Sequence, residues 1–506
     1  MFASKELVNS KNRLPQFSSS PLDTWALGTY RRFDALNVPA FYPPLEGAIE
    51  VPEYYTREAS LFCLTTNLPQ KKKGIDEHFF SSSNANSLET LSLYFRYLCA
   101  PQTFEPLNSY KVHRPVPSVR CLFPYQIMLA VQNDTTDIYR YHPDYHAFES
   151  VDSNGSDRVI NLSHVLNNGE IAVFGIGQYW KLAEKYGEFT PFVVNLEMGG
   201  LKAQSELLTS IVNWTLCEQD ISESLHDEID NLLLPFETLS FATVIKPSSK
   251  LDLPALASVN KVVNDWMPRP GLDIRFSKLK AMDAEFDWHH GRFPQIKDLH
   301  TVSTDSDSLC EEIDILSVMR QRNSGNDANG FLPESRNLVK NHLEKLVERF
   351  RKIRQSRPEE SAQKFVSLQF FWMDRNNGSA GLYNECLEAL PLRGGVQGGI
   401  QAIQDALPNQ VLKFNIAEMT LSVLMVADTH SAIRIFGGSA LKQLHIAAGG
   451  IAQDFGIAAS SMGMFARPVR MFDEATIESR FNLRGQLIYQ ILTGFNRQSN
   501  LKFRLL

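Results

Sequence analysis

The stretch LEMGGLKAQSELLTSIVNW (residues 196–214) carries apolar side chains at i, i+3 and i+4, which predicts one long amphipathic helix. A second stretch, HIAAGGIAQDFGIAASSMGM (445–464), reads as a Gly/Ala-rich helix. Setting GGLKAQSELLTS beside AGGIAQDFGIAAS pairs Gly200 with Gly449 and Gln204 with Gln453, an offset of 249. The tripeptides DIY and GLY bring Tyr139 and Tyr383 into correspondence at an offset of 244. Two near-equal offsets, far too long for a short-period repeat array, predict duplication of one α+β unit.

The flanks of each helix support that reading. Before the first lie a helix at 87–100, a strand at 126–132 and a hairpin in DIYRYHPDYHAFESV (137–151); after it comes a closing strand at 236–247. Around the second, EEIDILSVMRQR (311–322) and NLVKNHLEKLVERFRKIRQ (337–355) read as helices. FVSLQFFW (365–372) reads as a strand and GQLIYQILTGF (485–495) as its closing partner. The expected boundaries are an N-terminal arm at 1–60, a first half at 61–247, a linker at 248–308 and a second half at 309–506. The linker holds PSSKLDLP, MPRPG and DWHHGRFP with little periodicity.

Composition narrows the function classes. The 506 residues are 43% hydrophobic and 21% charged, enough for more than one substantial core. A net charge of −7 argues against general nucleic-acid binding. The six cysteines stand apart with no CxxC spacing, as in a reducing compartment, and the adjacent His289 and His290 make a poor metal pair. The N-terminus lacks the apolar core of a signal peptide, and no uncharged run is long enough to span a bilayer. The expected setting is the cytoplasm.

Five short segments carry chemistry. RPVPSVRCLFPYQ (114–126) holds Pro115, Pro117 and Pro124, so it is a stiff extended loop that presents Ser118 between Arg114 and Arg120. MRQRNSG (319–325) gathers Arg320, Arg322 and Ser324, which suit a phosphate or a solvated helix end. In SNLKFRLL (499–506), Lys502 and Arg504 share one face of an extended chain, as in a charged edge strand or an anion site. ARPVRMFDEATIE (466–478) is a proline-restrained turn into a helix capped by Asp473. YWKLAEKYGEF (179–189) sets Lys185 beside Tyr186, either a solvated lysine and an interfacial tyrosine or a proton-handling pair whose ammonium lowers the phenol's pKa.

Taken in order, RQRNS, PSVRCLFP, DIYRYHPDYHAF, KYG, LEMGGLKAQ, GGIAQ, PVRMFD and LKFR resemble the nitroreductase-like flavin enzymes. The resemblance is greatest to the SagB/ThcOx-type (McbC-like) azoline dehydrogenases of peptide natural-product biosynthesis. It covers most of 60–247 and 310–506, and it implies a nitroreductase-like α+β fold in two tandem copies. These would form an intramolecular pseudo-dimer of mixed or antiparallel sheets wrapped by helices. FMN is the implied cofactor, held by Arg320, Arg322, Ser324, Lys502 and Arg504 at its phosphate and ribityl chain. Pro117, Ser118 and Arg120 would meet its ring, and the backbone of Arg470 and Met471 its redox edge. Tyr186, assisted by Lys185, would be the base.

The family often has glycine where Arg470 stands, and glycine or a small residue where Arg120 stands. The phosphate segments fall in the second half and the proline loop in the first, while the first half has KKKG (71–74) at the matching place. One competent and one decayed FMN site are therefore expected.

The implied reaction oxidises a thiazoline or oxazoline, peptide- or carrier-bound, to the thiazole or oxazole, with molecular oxygen as reoxidant. A synthetase or cyclase partner and further oligomerisation are compatible with it; no nucleic acid, membrane or metal is. Competing readings are an NAD(P)H-dependent nitro or quinone reductase, another FMN desaturase, and a scaffold subunit that binds a synthetase without catalysis.

Overall fold

The computed structural model describes residues 56–64, 87–108, 110–151, 161–217, 223–234, 236–263, 314–325, 333–334, 336, 340–358, 361–373, 380–407, 414–497 and 501–505. Most of the expected arm, KKKG and DWHHGRFP lie outside them.

In the first half, strand β1 (Thr56–Cys63) precedes helix α1 (Ser87–Cys99) and the short strands β2 (Thr103–Phe104) and β3 (Val112–His113). Strands β4 (Tyr125–Gln132), β5 (Thr136–His142), β6 (Ala147–Ser150) and β7 (Ile171–Gln178) follow. Helices α2 (Tyr179–Tyr186) and α3 (Thr190–Ile211) lead to β8 (Thr215–Leu216), α4 (Glu223–Asp230), β9 (Glu237–Lys246) and β10 (Ala257–Val263). The eight long and short strands other than β2 and β3 form one antiparallel sheet in the order β10-β1-β6-β5-β4-β7-β9-β8. Strand β1 crosses the boundary expected at 60, and β10 lies within the expected linker yet pairs with β1. The chain on either side of the first half thus supplies its outer strands.

The second half contains α5 (Ile315–Gln321), β11 (Pro333–Glu334), α6 (Lys340–Gln355), β12 (Val366–Trp372), β13 (Gly381–Tyr383), β14 (Ala389–Leu390) and α7 (Gly395–Ala406). It continues with β15 (Leu421–Ala427), α8 (Thr429–Phe436), α9 (Ala440–Ser460), β16 (Phe465–Val469), α10 (Glu474–Phe481), β17 (Gln486–Asn496) and β18 (Phe503–Arg504). Its sheet runs β11-β17-β15-β12-β13-β14 with β16 also on β17, so β13-β12-β15-β17 repeats the order β5-β4-β7-β9. The strand β18 leaves its own half and joins β2 and β3 of the other.

The duplication is visible at single-residue detail. Helix α8 begins 250 positions after α2, and the single turn Gly437–Ser439 begins 250 after Gly187–Phe189. Gly187 (φ 51, ψ −132) and Gly437 (φ 56, ψ −134) share a conformation that suits glycine. A bulge between Gly175 and Ile176 in the β7–β9 pair recurs between Met425 and Val426 in β15–β17. The structural offset is therefore 250, and the sequence match at 249 is one residue short. Gln204 and Gln453 drew the match together, but they are partners and not equivalents: Gln453 Nε2 donates to Gln204 Oε1 at 2.8 Å across the interface.

The halves meet where α3 and α9 cross. A Cβ built on Gly199 would fall within the carbonyl of Ile446, and one on Gly449 within that of Leu196. Only glycine lets the two backbones touch at both points. Beyond the crossing, Arg357 is fully buried and bridges the helices. Its Nη2 and Nε meet Asp454 at 2.6 and 3.1 Å, and its Nη1 meets Glu206 at 3.2 Å.

Gly199→Ala or Gly449→Ala is expected to cost about 3 kcal/mol or more, because rigid backbone stands where the methyl must go. Arg357→Ala, which strands two buried carboxylates, is expected to cost about 3–5 kcal/mol. Denaturant unfolding midpoints measure both, and unchanged midpoints would show that the crossing relaxes freely.

Candidate functional site

A cavity of about 620 Å³ opens between the halves, within the usual size range of small-molecule sites. Its walls come from both. The first half contributes the proline loop and the α3 face Val193, Leu196, Glu197 and Gly200, spaced to share one side of a helix. The second contributes the turn 322–325, the end of β16 with the Arg470 and Met471 that follow it, and Tyr489 and Asn496 of β17. Glu105, next to β2, and Lys502, next to β18, close one rim, joined by an ion pair of 2.8 Å.

The loop is held by its own sequence. The prolines limit φ, and the Phe123 N–H donates to Ser118 Oγ at 2.9 Å, folding 118–123 into a tight turn. Arg120 (φ 51), Cys121 (φ 50) and Phe123 (φ 48) all take left-handed backbone, costing about 1–3 kcal/mol each for non-glycine residues. That conformation gives a physical reason for a small residue at the Arg120 position. Arg114 stacks on Phe123 with its guanidinium carbon 4.0 Å from the ring centroid, and it reaches Asp144 at 3.3 Å.

Arg322 fastens this loop to the second half. Its Nε donates to Pro115 O at 2.5 Å, its Nη2 to Arg114 O at 3.1 Å and its Nη1 to Ser324 Oγ at 3.5 Å. Burial pulls its pKa down to about 10, so an anion alongside would offset a real desolvation cost. Six cations line the cavity: Arg114, Arg120, Arg322, Arg467, Arg470 and Lys502. Against them stand two carboxylates, Glu105 and Glu197, and burial pushes the Glu197 pKa up to about 8. Three of the cations are ion-paired, Arg470 with Glu474, Lys502 with Glu105 and Arg114 with Asp144, which leaves Arg120, Arg322 and Arg467 as the excess positive charge.

Of the residues singled out in the sequence, Pro117, Ser118, Arg120, Tyr186, Arg322, Ser324, Arg470, Met471 and Lys502 all line this space. Three do not. Arg320 lies with its guanidinium carbon 6.0 Å from the Tyr97 ring centroid, and Arg504 is exposed on β18, where its charge also acts on Tyr97. Lys185 is exposed and faces away, because neighbours on α2 point about 100° apart. The expected lowering of the Tyr186 pKa by Lys185 is therefore corrected. Burial dominates and raises it, opposed by Arg120, whose guanidinium carbon sits 5.8 Å from the ring.

The sequence reading gave no role to Glu197, Arg467 or Tyr489. The signal for Glu197 was present: a lone carboxylate among Val193, Leu196 and Gly200 on the apolar face of a long helix. The Cys121 thiol is pushed up to about 11 by burial, so it is no thiolate nucleophile. Among the described residues no cluster of His, Cys, Asp and Glu could hold a metal ion. No described helix is long and apolar enough to cross a membrane.

No protein-family model and no curated protein matches the chain. Solved structures do. A protein from Anabaena variabilis assigned as a nitroreductase superposes over 95% of this chain and 100% of its own, with TM-score 0.64 and 15% identity. One from Ralstonia eutropha, assigned likewise, covers 37% of this chain and 85% of its own at TM-score 0.28 and 15% identity. The E. coli microcin synthetase McbBCD complex has a chain matching 28% of this one and 56% of its own, at TM-score 0.25 and 11% identity. The last two scores are too low to carry an argument.

His445, on α9 against Phe192 and near Arg470, is held neutral by burial with its pKa lowered to about 3. The unfolded chain takes up this proton near pH 6.5 and the folded chain does not, so stability falls as pH drops from about 6.5 towards 3. His445→Gln is expected to flatten that loss in unfolding measured across pH; an unchanged slope would place the acid sensitivity elsewhere. Two tandem copies with nested antiparallel sheets, joined at α3 and α9, give this chain the nitroreductase fold.

Proposed function

We propose that the chain is an FMN-dependent oxidoreductase that converts a peptide- or carrier-bound thiazoline or oxazoline to the aromatic azole, with one cofactor per chain. The observation that carries the cofactor is the interface cavity, where Arg322, Arg467, Arg470 and Lys502 of the second half face a pre-folded proline loop of the first that carries Arg114 and Arg120. The residues fit a phosphorylated, planar ligand. Arg322, Ser324 and Lys502 would hold its phosphate and ribityl chain. Pro117, Ser118 and Arg120 would border its ring from the first half, with Arg470 and Met471 opposite. FMN, when bound, supplies a centre that accepts a hydride.

The azoline substrate is supported by the ordered motifs of the sequence, which resemble the SagB/ThcOx-type dehydrogenases more than simple nitroreductases. The protein's own part is to orient and to exclude water. The loop is folded in advance by Ser118 and its prolines, which lowers the ordering cost of binding. The buried Tyr186 phenol, kept neutral, is suited to donate a hydrogen bond and not to act as a base.

An asymmetry at the crossing supports single occupancy. Gly200 faces Val116 of the proline loop, whereas Gly450, its equivalent 250 residues on, faces Arg357 Nη2. Arg357 of the ion triad takes at Gly450 the place that Val116 of the loop takes at Gly200.

Denaturation is expected to release one FMN per chain. Two would overturn the single site, and none would overturn the cofactor. Arg322→Ala is expected to weaken flavin retention about tenfold or more through the lost charged hydrogen bonds. Equilibrium dialysis reads it, and unchanged retention would move the phosphate elsewhere.

A further inference from the structure

We propose that Glu197 is the residue that exchanges a proton with the substrate in this cavity, a role that rests on the flavin reading above. Glu197 is 5% exposed and projects from the cavity-facing side of α3. Its Oε2 accepts from the Val119 N–H at 3.2 Å, and the neighbouring Ser118 side chain favours the carboxylate. Its Oε1 has no hydrogen-bond partner among the described residues. A buried carboxyl oxygen without a partner is costly, and one that lines a ligand cavity is placed to meet a ligand. The proline loop thus aims a carboxyl as well as bordering the space.

Every element packed around Glu197 bears on its charge. Arg114, Ser118 and the Val119 N–H on the loop favour the carboxylate, as does Lys181 on α2. Burial outweighs them and holds the carboxyl near 8. Cys121, Tyr125, Tyr186 and Tyr489 also sense it, and burial keeps all four neutral. His113 also lines the cavity, against Glu105 at 3.6 Å and Asn108 at 3.4 Å. A group balanced between its two forms near the working pH is the efficient kind of acid or base.

The step balances simply. With FMN bound as the hydride acceptor, the azoline ring would lose one hydrogen together with its electron pair. The hydrogen on the neighbouring ring atom leaves as a proton to the Glu197 carboxylate, and the electrons of that bond become the new ring double bond. The carboxyl then returns its proton to solvent. The carboxylate is the competent form, so oxidation is expected to rise with pH through about 8.

Infrared difference spectra of the purified chain between pH 6 and pH 10 test the carboxyl directly. A carboxylic-acid C=O band that disappears with a midpoint near 8 in wild type, and is missing in Glu197→Gln, is expected. A Glu197 band that persists to pH 10 would overturn the proposal, because a carboxyl that does not ionise cannot take up the proton. On the azoline, Glu197→Gln is expected to lower the rate about a hundredfold or more at unchanged flavin content and to abolish the alkaline rise, with Glu197→Asp restoring part of both. A Glu197→Gln protein that keeps its rate and its pH profile would hand the proton to His113 or to solvent and sink the assignment. A wild-type chain that shows the carboxyl transition yet releases no flavin would overturn the cofactor reading alone.

Discussion

Backbone contact between α3 and α9 is the constraint on which the rest of this molecule depends. Gly199 and Gly449 leave no side chain at the crossing, so each helix packs against the carbonyl of the other. Everything functional is measured from that contact. The same face of α3 that carries Gly200 also carries Glu197 and Leu196, so the distance between the halves sets the depth of the cavity. Arg357 and the Gln204–Gln453 pair then fix the rotation of the helices about one another, since each polar bond is buried and would be lost with a small slip.

The two sides of the crossing have been treated differently by the sequence. On one, Arg322 ties Pro115 and Arg114 to the second half and leaves space behind the loop. On the other, Arg357 takes the position facing Gly450 and draws in Glu206 and Asp454. Each solution buries a guanidinium at the joint, and the first lies beside the cavity described above. The exchange of β18 onto β2 adds to the asymmetry, because it delivers Lys502 to the rim of that one cavity.

Much of this was legible in the residues, and the failures have physical causes. Long helices with a clear apolar face, the DIYRYHPDYHAF hairpin and the closing strands were readable because periodicity alone decides them. The register of the duplication was read one residue short because Gln204 and Gln453 match as letters while they function as partners. Strand β10 was read as linker, since an edge strand needs only one neighbour and shows little pattern. At the site, residue type marked Arg322, Ser324, Ser118 and Lys502, but direction was invisible. Lys185 and Tyr186 are adjacent in sequence and point to different surroundings, and Arg320 and Arg504 gather at Tyr97 instead of at the cavity. Glu197 escaped notice because a single carboxylate on a helix is ordinary until the helix is known to be buried.

The joining of both halves in one polypeptide has a consequence for how such a molecule can change. In an assembly of two identical chains, any substitution appears on both sides of the axis, and an arginine at the position of Arg357 would stand at both sides of the crossing at once. A continuous chain can accept that arginine on one side only. Here one side carries the buried clamp of Arg357 with Glu206 and Asp454, while the other faces the cavity.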